Sequence, residues 1–165
     1  MKKVIEPSEF INLKGIEYFN FEEDFMEDNV RCIPMIVRFK MDAVGIKLKL
    51  AEWSKFNTDE RVELAIKPIS NSTALNKYHS YLVGLIKKYT NNEATIIAVD
   101  KTPAWREFNR LPIVLQEKLQ ELDLHISINQ WKNLSDIQRF VLLKLCRPGH
   151  ENKNFPKAML EFGLS

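Results

Sequence analysis

The densest group of chemically capable side chains lies in one short turn near the C-terminus. A guanidinium, an imidazole, a carboxylate and two carboxamides occur within eight residues: Arg147, His150, Glu151, Asn152 and Asn154. Such a turn can bind an anion or a partner loop, with Arg147 as the charge and His150 as a titrating neighbour. The same side chains can instead cap the carbonyl groups at the end of the preceding helix. The sequence leaves both interpretations open.

A second group of candidate binding residues is basic and lies in the first third of the chain. Its members are Arg31, Arg38, Lys40, Lys47 and Lys49, and it follows an acidic stretch at residues 17–28. A basic surface attracts anions and acidic partners, but opposite charges that are close in sequence also pair within one molecule. Because Arg38 and Lys40 are two apart on a predicted helix, they fall on different faces. Lys47 and Lys49 share a face if their segment is extended.

Two cysteines raise the question of covalent chemistry. Cys146 lies four residues before His150, but a proline and a glycine between them break the helical register. Cys32 follows an arginine, a neighbour that can lower the pKa of a thiol. A buried cysteine more often serves as a small core residue. A small enzyme that combines Arg147, His150 and Glu151 with a nearby cysteine is therefore an alternative hypothesis, and no catalytic residue is assigned.

The sequence carries no signature of a metal or cofactor site. His79, His125 and His150 are far apart, none belongs to a His-Glu-x-x-His pattern, and the two cysteines form no Cys-x-x-Cys pair. There is no glycine-rich phosphate-binding pattern. We therefore predict no metal site, and the cofactor stays unknown.

Charge and hydropathy limit the classes of partner. The net charge of +2 gives no general attraction for nucleic acid or an anionic membrane. Residues 130–135 and the helix after them suggest a helix-turn-helix, but that helix is too apolar at residues 140–143 to read base edges. No apolar run approaches the ~20 residues of a membrane span, and the N-terminal lysines are not followed by the apolar run of a signal peptide. We expect a cytoplasmic protein that binds neither nucleic acid nor membrane.

Helices are predicted to position both groups of candidate residues. Local patterns predict helices over Cys32–Val44 and Thr58–Ile66, with a short connector and a further helix, ending at Phe56, between them. An apolar seam predicts a long amphipathic helix; it consists of Leu75, Tyr78, Leu82, Leu85 and Tyr89. Residues 94–99 are β-branched but lack an evident pairing partner, so we predict an extended linker.

The first helical segment recurs later in the chain at a constant offset. Ile33-Pro34 returns as Leu111-Pro112, and Trp53 returns as Trp131. The other pairs are Lys40 and Lys118, Phe56 and Leu134, Arg61 and Arg139, and Leu64 and Leu142. A capping box formed by Asn57 and Glu60 returns as Ser135 and Gln138. The sequence therefore predicts two copies of a three-helix unit.

The predicted fold is mainly α, with little or no β structure. We expect a single compact helical domain over residues 17–165, built from two duplicated three-helix units at 33–68 and 111–148 and joined by the long amphipathic helix. Residues 1–16 are expected to form a loosely ordered N-terminal extension. Each unit is too small to bury its own apolar faces, so we expect the two to pack together with their tryptophans in equivalent environments.

Several long motifs carry a family resemblance. They are Phe21-Glu22-Glu23-Asp24-Phe25, Arg31–Met35, Val37–Lys40, Gly45–Trp53, Arg147–Asn152, Asn154-Phe155 and Glu161–Leu164. In these motifs the chain, from about Tyr18 to its C-terminus, resembles the nitrate reductase-associated proteins. The resemblance implies a link to assimilatory nitrate reduction, with nitrate reductase or another nitrate-assimilation protein as the partner. It supplies no catalytic residue, and the expected role is that of a non-enzymatic accessory protein that binds a protein partner or a small anion.

Overall fold

The computed structural model describes residues 9–24, 32–147 and 153–164. Within these residues the chain forms eight α-helices and only two short β-strands, so the prediction of a mainly α protein is confirmed. The chain divides into two compact units, Met1–Asp100 and Lys101–Ser165, here called unit 1 and unit 2. The prediction that residues 17–165 form a single domain stays a prediction.

Local sequence signals begin and end the helices of unit 1. These helices are α1 (Met35–Val44), α2 (Leu50–Trp53), α3 (Thr58–Ile66) and α4 (Ser72–Thr90). Pro34 occupies the N-cap position of α1, and Gly45 ends the helix in the left-handed region with a φ of 75°. In the predicted capping box of α3, the Glu60 N–H donates to Asn57 Oδ1 at 2.8 Å. The predictions for α1, α3 and α4 are confirmed to within a few residues.

One prediction for unit 1 is wrong, because residues 94–99 do have a pairing partner. Strand β1 (Ile46–Lys47) pairs antiparallel with β2 (Thr95–Ile96), so that the first residue of β1 lies opposite the last residue of β2. The pairing depends on Gly45, since a Cβ atom there would lie 2.7 Å from the Ile97 carbonyl oxygen. Both strands are only two residues long and are far apart in sequence, so no local pattern reveals the pairing.

The core of unit 1 lies where α1 packs against α3 and α4. Its fully buried side chains include Phe10, Met35, Trp53, Leu64, Tyr78, Leu82 and Ile86. The rings of Phe10 and Trp53 stack with centroids 6.2 Å apart, and Glu9 Oε1 lies 2.8 Å from Arg61 Nε. Residues 9 and 10 therefore contribute a partly buried ion pair and a core aromatic side chain to unit 1.

Helix α7 is central to unit 2, as its apolar composition predicts. The helices of unit 2 are α5 (Ile113–Glu121), α6 (Ile128–Asn133), α7 (Asp136–Leu145) and α8 (Phe155–Glu161). Helix α7 contacts α5, α8 and a 3₁₀ turn at Ala104–Arg106. The buried side chains of this unit include Leu115, Trp131, Ile137, Phe140, Val141, Leu142 and Phe155.

The two units repeat several local interactions at the predicted offset. Helix α5 begins at Ile113, 78 residues after α1 begins at Met35, and α6 and α7 follow α2 and α3 at the same distance. In each unit a buried arginine, Arg61 or Arg139, donates through Nη1 to the carbonyl group five residues before it. These features agree with a repeated three-helix unit, whereas its origin by duplication stays a prediction.

Candidate functional site

The predicted polar turn near the C-terminus lies only partly within the described chain. Arg147 follows α7 and is exposed, whereas His150, Glu151 and Asn152 lie outside the described residues. Asn154 occupies the N-cap position of α8 without a side-chain capping bond. Its side chain is 1% exposed, and neither amide atom has a hydrogen-bond partner in the structure as described. Such a buried unpaired group costs ~1–3 kcal/mol. Because residues 148–152 lie outside the described chain, the grouping of Asn154 with the predicted turn stays a prediction.

The basic residues of unit 1 are not brought together at one point. Arg31 lies outside the described residues. Arg38 Nε donates to the Ile33 carbonyl oxygen at 2.7 Å, across the first turn of α1. Lys47 and Lys49 are exposed and alternate with buried apolar residues, as predicted for two side chains on one face of an extended segment.

Lys40 is turned into the protein and binds the C-terminal end of α3. Its Nζ donates to the carbonyl oxygens of Ala65 and Lys67, each at 2.7 Å. A lysine in this position satisfies carbonyl groups that the helix leaves free and complements the negative end of the helix dipole. Burial lowers the pKa of Lys40 to about 8. This side chain therefore serves the packing of α1 against α3 and is not available to an external anion.

Strand pairing gathers the exposed lysines next to exposed apolar side chains. Lys47 lies opposite Thr95 in the two-stranded sheet. The exposed lysines and exposed large apolar residues in and near the two strands are here called the basic–apolar surface: Lys47, Lys49, Leu50, Ile96, Ile97 and Val99. Sequence reasoning found the lysines but missed the apolar half, because it did not predict the pairing of β1 with β2.

The two cysteines are buried and form no disulfide. Burial raises the pKa of the Cys146 thiol to about 12, and the Glu121 carboxylate adds to this effect against an opposing contribution from Lys118. The thiol is therefore protonated at neutral pH and is a poor nucleophile. Its predicted neighbour His150 lies outside the described residues.

A cavity of about 450 Å³ lies in unit 1 where the chain passes from α3 to α4. It is lined by Lys67, Pro68, Asn71, Thr73, Ala74 and Lys77. Lys67 is already engaged, because its Nζ lies 3.6 Å from Glu63 Oε1 and 5.1 Å from the centre of the Tyr81 ring. Asn71 is also engaged, since its Oδ1 accepts the Ala74 N–H at 2.9 Å. The sequence does not indicate this cavity, because its lining comes from the ends of two helices.

Two buried carboxylates have structural roles that the sequence analysis missed. Glu22 is fully buried and accepts the N–H groups of Phe19 at 2.9 Å and of Met35 at 2.8 Å. Glu60 belongs to the predicted capping box, but it also accepts the Tyr89 hydroxyl at 2.5 Å and lies 3.1 Å from Lys88 Nζ. Burial opposes ionisation of Glu60, but the hydrogen bonds from Tyr89, the Asn57 backbone and Lys88 outweigh it and lower its pKa.

The described part of the chain contains neither a membrane-spanning helix nor a group of metal ligands. No helix there is long and apolar enough to cross a membrane. No three His, Cys, Asp or Glu side chains of residues 9–24, 32–147 and 153–164 are grouped as ligands of one metal ion.

The comparisons with known proteins agree with the resemblance seen in the motifs. The model of a family described as conserved nitrate reductase-associated protein matches residues 18–162. No curated protein and no solved structure matches the chain. The matched range contains both groups of candidate residues, the basic segment and the turn from Arg147 to Asn154.

Proposed function

Because the chain belongs to the conserved nitrate reductase-associated protein family, we propose that it is a non-enzymatic accessory protein of assimilatory nitrate reduction. It acts by binding, and its partner is nitrate reductase or another nitrate-assimilation protein. A small anion is the other ligand that the proposal includes. The name of the family supplies the biological context, and the exposed surfaces of the protein supply the argument for binding.

The basic–apolar surface is the observation that favours a protein partner. Three of its apolar side chains, Ile96, Ile97 and Val99, are exposed on one short segment of unit 1. Protein interfaces characteristically combine such an apolar centre with a charged rim. Lys47 and Lys49 supply positive charge beside it, so an acidic rim on the partner would be complementary and would accelerate association.

A small anion has less support among the candidate residues. Lys40 is committed to two backbone carbonyl groups, and Arg38 donates to a third. The cavity between α3 and α4 is lined by Lys67 and Lys77, but the first of these already lies beside Glu63. Anion binding is therefore tested by adding anions to the protein, and this test does not assume a particular binding residue.

The enzyme and nucleic-acid hypotheses gain no support from the described residues. Cys146 is a buried thiol with a raised pKa, which opposes its use as a nucleophile. Helix α7, the recognition helix of the helix-turn-helix hypothesis, buries Phe140, Val141 and Leu142. A recognition helix must present side chains to base edges, so burial of these positions argues against that hypothesis.

A capture experiment tests the proposed function. The immobilised full-length protein is mixed with an extract of the nitrate-grown host, and retained proteins are identified by mass spectrometry. We expect retention of a nitrate-assimilation protein, and at least ~10-fold less of it with a Lys47→Glu/Lys49→Glu variant, because close like charges oppose docking. The matched control is Lys132→Glu/Lys153→Glu, which makes the same charge change at two exposed lysines of unit 2.

The binding of a small anion is tested on the same protein. Nitrate, nitrite or molybdate is added, and the melting temperature is measured, since a ligand that binds only the folded state raises it. Sodium chloride at equal ionic strength is the control. The proposal fails if no nitrate-assimilation protein is retained and none of the three anions raises the melting temperature.

A further inference from the structure

Helices α1 and α5 begin with the same local construction. A proline holds the N-cap position in both, Pro34 for α1 and Pro112 for α5. In both, a side chain near the helix start donates a hydrogen bond to the carbonyl oxygen of the residue five positions earlier. Arg38 Nε donates to Ile33, and Gln116 Nε2 donates to Leu111, each at 2.7 Å. The starts of the two helices can therefore be compared residue by residue.

In unit 1 the start of α1 is covered by a preceding segment of the chain. The first two residues of the helix, Met35 and Ile36, are 0% and 8% exposed. Glu22 Oε1 accepts the Met35 N–H at 2.8 Å. Phe19 and Phe21 are buried in the same segment, with parallel rings whose centroids are 5.8 Å apart. This segment thus supplies a carboxylate that binds the first N–H of α1, and two buried aromatic residues lie just before that carboxylate in the chain.

In unit 2 the corresponding start of α5 is uncovered. Ile113 and Val114, at the positions of Met35 and Ile36, are 63% and 42% exposed. Like α1, α5 has no acidic residue in its first turn. Residues 9–24, 32–147 and 153–164 provide no acceptor for the Ile113 N–H, whereas the Met35 N–H has Glu22. The start of α5 therefore exposes two apolar side chains and the Ile113 N–H. In unit 1 the corresponding N–H, that of Met35, is bound by a carboxylate.

We propose that the start of α5 is a docking site for a peptide segment of the protein partner. The segment carries two large apolar or aromatic side chains followed by a glutamate or aspartate, as in Phe19–Glu22, whose carboxylate accepts the first N–H of α1. The side chains cover Ile113 and Val114, and the carboxylate accepts the Ile113 N–H at the positive end of the helix dipole. Exposed Arg110, three residues earlier, adds positive charge that it shares with Glu107, whose Oε2 lies 3.7 Å from its Nε. This inference rests on the proposed function, because it assumes a protein partner.

The occupant is a partner protein and not a second copy of this chain. The matching segment of this chain, Phe19–Glu22, is already buried in its own unit. A second copy could supply it only by uncovering its own α1 and losing the Glu22 hydrogen bond to Met35. A partner whose segment is exposed meets no such cost.

A peptide titration tests the chemistry of the site. A peptide that reproduces Tyr18–Asp24 is added to the ¹⁵N-labelled full-length protein, and amide shifts are followed by NMR. We expect saturable shifts at Ile113 and Val114, with binding weakened ~10-fold when the peptide carries Glu22→Gln, since a charge-assisted hydrogen bond is lost. The inference is overturned if millimolar peptide shifts neither amide, or if shifts occur only at Met35 and Ile36.

Two variants of the full-length protein separate this site from the proposed function. Ile113→Glu places a repelling carboxylate at the site, and Leu160→Glu makes the same change at another exposed position of unit 2. Retention of the partner by the wild type and Leu160→Glu, but not by Ile113→Glu, supports the site. Equal retention by all three overturns the site and leaves the proposed function standing. Peptide binding at α5 without retention of any nitrate-assimilation protein supports the site chemistry and overturns the protein-partner part of the proposed function.

Discussion

At the scale of single residues, the buried lysine of α1 has the most unusual electrostatic environment. Lys40 is 8% exposed, and within the described chain no carboxylate lies within salt-bridge distance of its Nζ. Its protons are directed at two backbone carbonyl groups. Carbonyl groups at a helix end stabilise a cation less than a carboxylate does, so desolvation dominates and lowers the pKa to about 8.

This environment predicts an unusual pH dependence of stability. The unfolded chain keeps Lys40 protonated up to its ordinary pKa of 10.5, so between pH 8 and pH 10.5 it binds more protons than the folded protein. Stability contributed by this group therefore rises with pH in that window. The measurement is the free energy of unfolding of the wild type minus that of Lys40→Met, in which the other titrating groups cancel. A flat difference, or an NMR-measured Lys40 pKa near 10.5, would contradict the prediction.

Cys146 leads to a second prediction at this scale. Burial raises its pKa to about 12, so at pH 8 both the thiolate fraction and the access of a reagent are low. We expect iodoacetamide to label Cys146 at least ~100-fold more slowly in the native protein than in urea. Peptide-level mass spectrometry measures both rates, and a small exposed thiol such as glutathione provides the reference. Labelling of the native protein as fast as in urea would contradict this prediction and make Cys146 a candidate nucleophile again.

At the scale of elements, the helices are predictable because their signals are local. Asn57 with Glu60 and Ser135 with Gln138 form their capping boxes, since each needs only residues three apart. The β1–β2 pairing was not predictable, because it joins two-residue strands that are far apart in sequence. Because this pairing was not predictable, the apolar residues of the basic–apolar surface were not predictable either.

Glu22 shows how a long-range contact can perform a local task. The N-cap of α1 is a proline with no side-chain acceptor, and Glu22, thirteen residues earlier, accepts the first N–H of the helix instead. In the sequence, Glu22 is recognisable only as one member of an acidic stretch. The hydrogen bond requires the segment before α1 to fold back over the helix start, and no residue spacing in the sequence predicts that.

The role of Glu22 predicts a large effect of a small substitution. Glu22→Gln keeps the shape of the side chain but removes the charge that two N–H groups share, so we expect a loss of about 1–3 kcal/mol of unfolding free energy. Urea denaturation at pH 7 measures it. The control is Glu93→Gln, which removes a carboxylate from the exposed ion pair with Lys87 and should change stability by less than about 1 kcal/mol. Equal effects of the two substitutions would show that Glu22 does not hold the start of α1.

At the scale of the whole molecule, several local interactions of unit 1 recur in unit 2. Trp53 and Trp131 are both fully buried, as the constant offset predicts. The sequence could indicate this recurrence because proline, tryptophan and arginine are rare enough for register to be visible. It could not indicate where the units differ, because the exposed start of α5 and the buried start of α1 follow from long-range packing.

Whether the two units fold as one domain, as the sequence predicts, can be decided with the paired arginines. Arg139→Leu leaves the carbonyl oxygens of Trp105 and Leu134 without their donor, and Arg61→Leu similarly affects Phe56. Each should cost about 1–3 kcal/mol, and Arg110→Leu, which changes an exposed arginine, should cost less than about 0.5 kcal/mol. If the chain folds as one cooperative domain, Arg139→Leu reduces the hydrogen-exchange protection of the slowest amides in α3 and α4 as much as in α7. Loss of protection confined to residues 101–165 would instead show that each unit folds independently, and the single-domain prediction would be wrong.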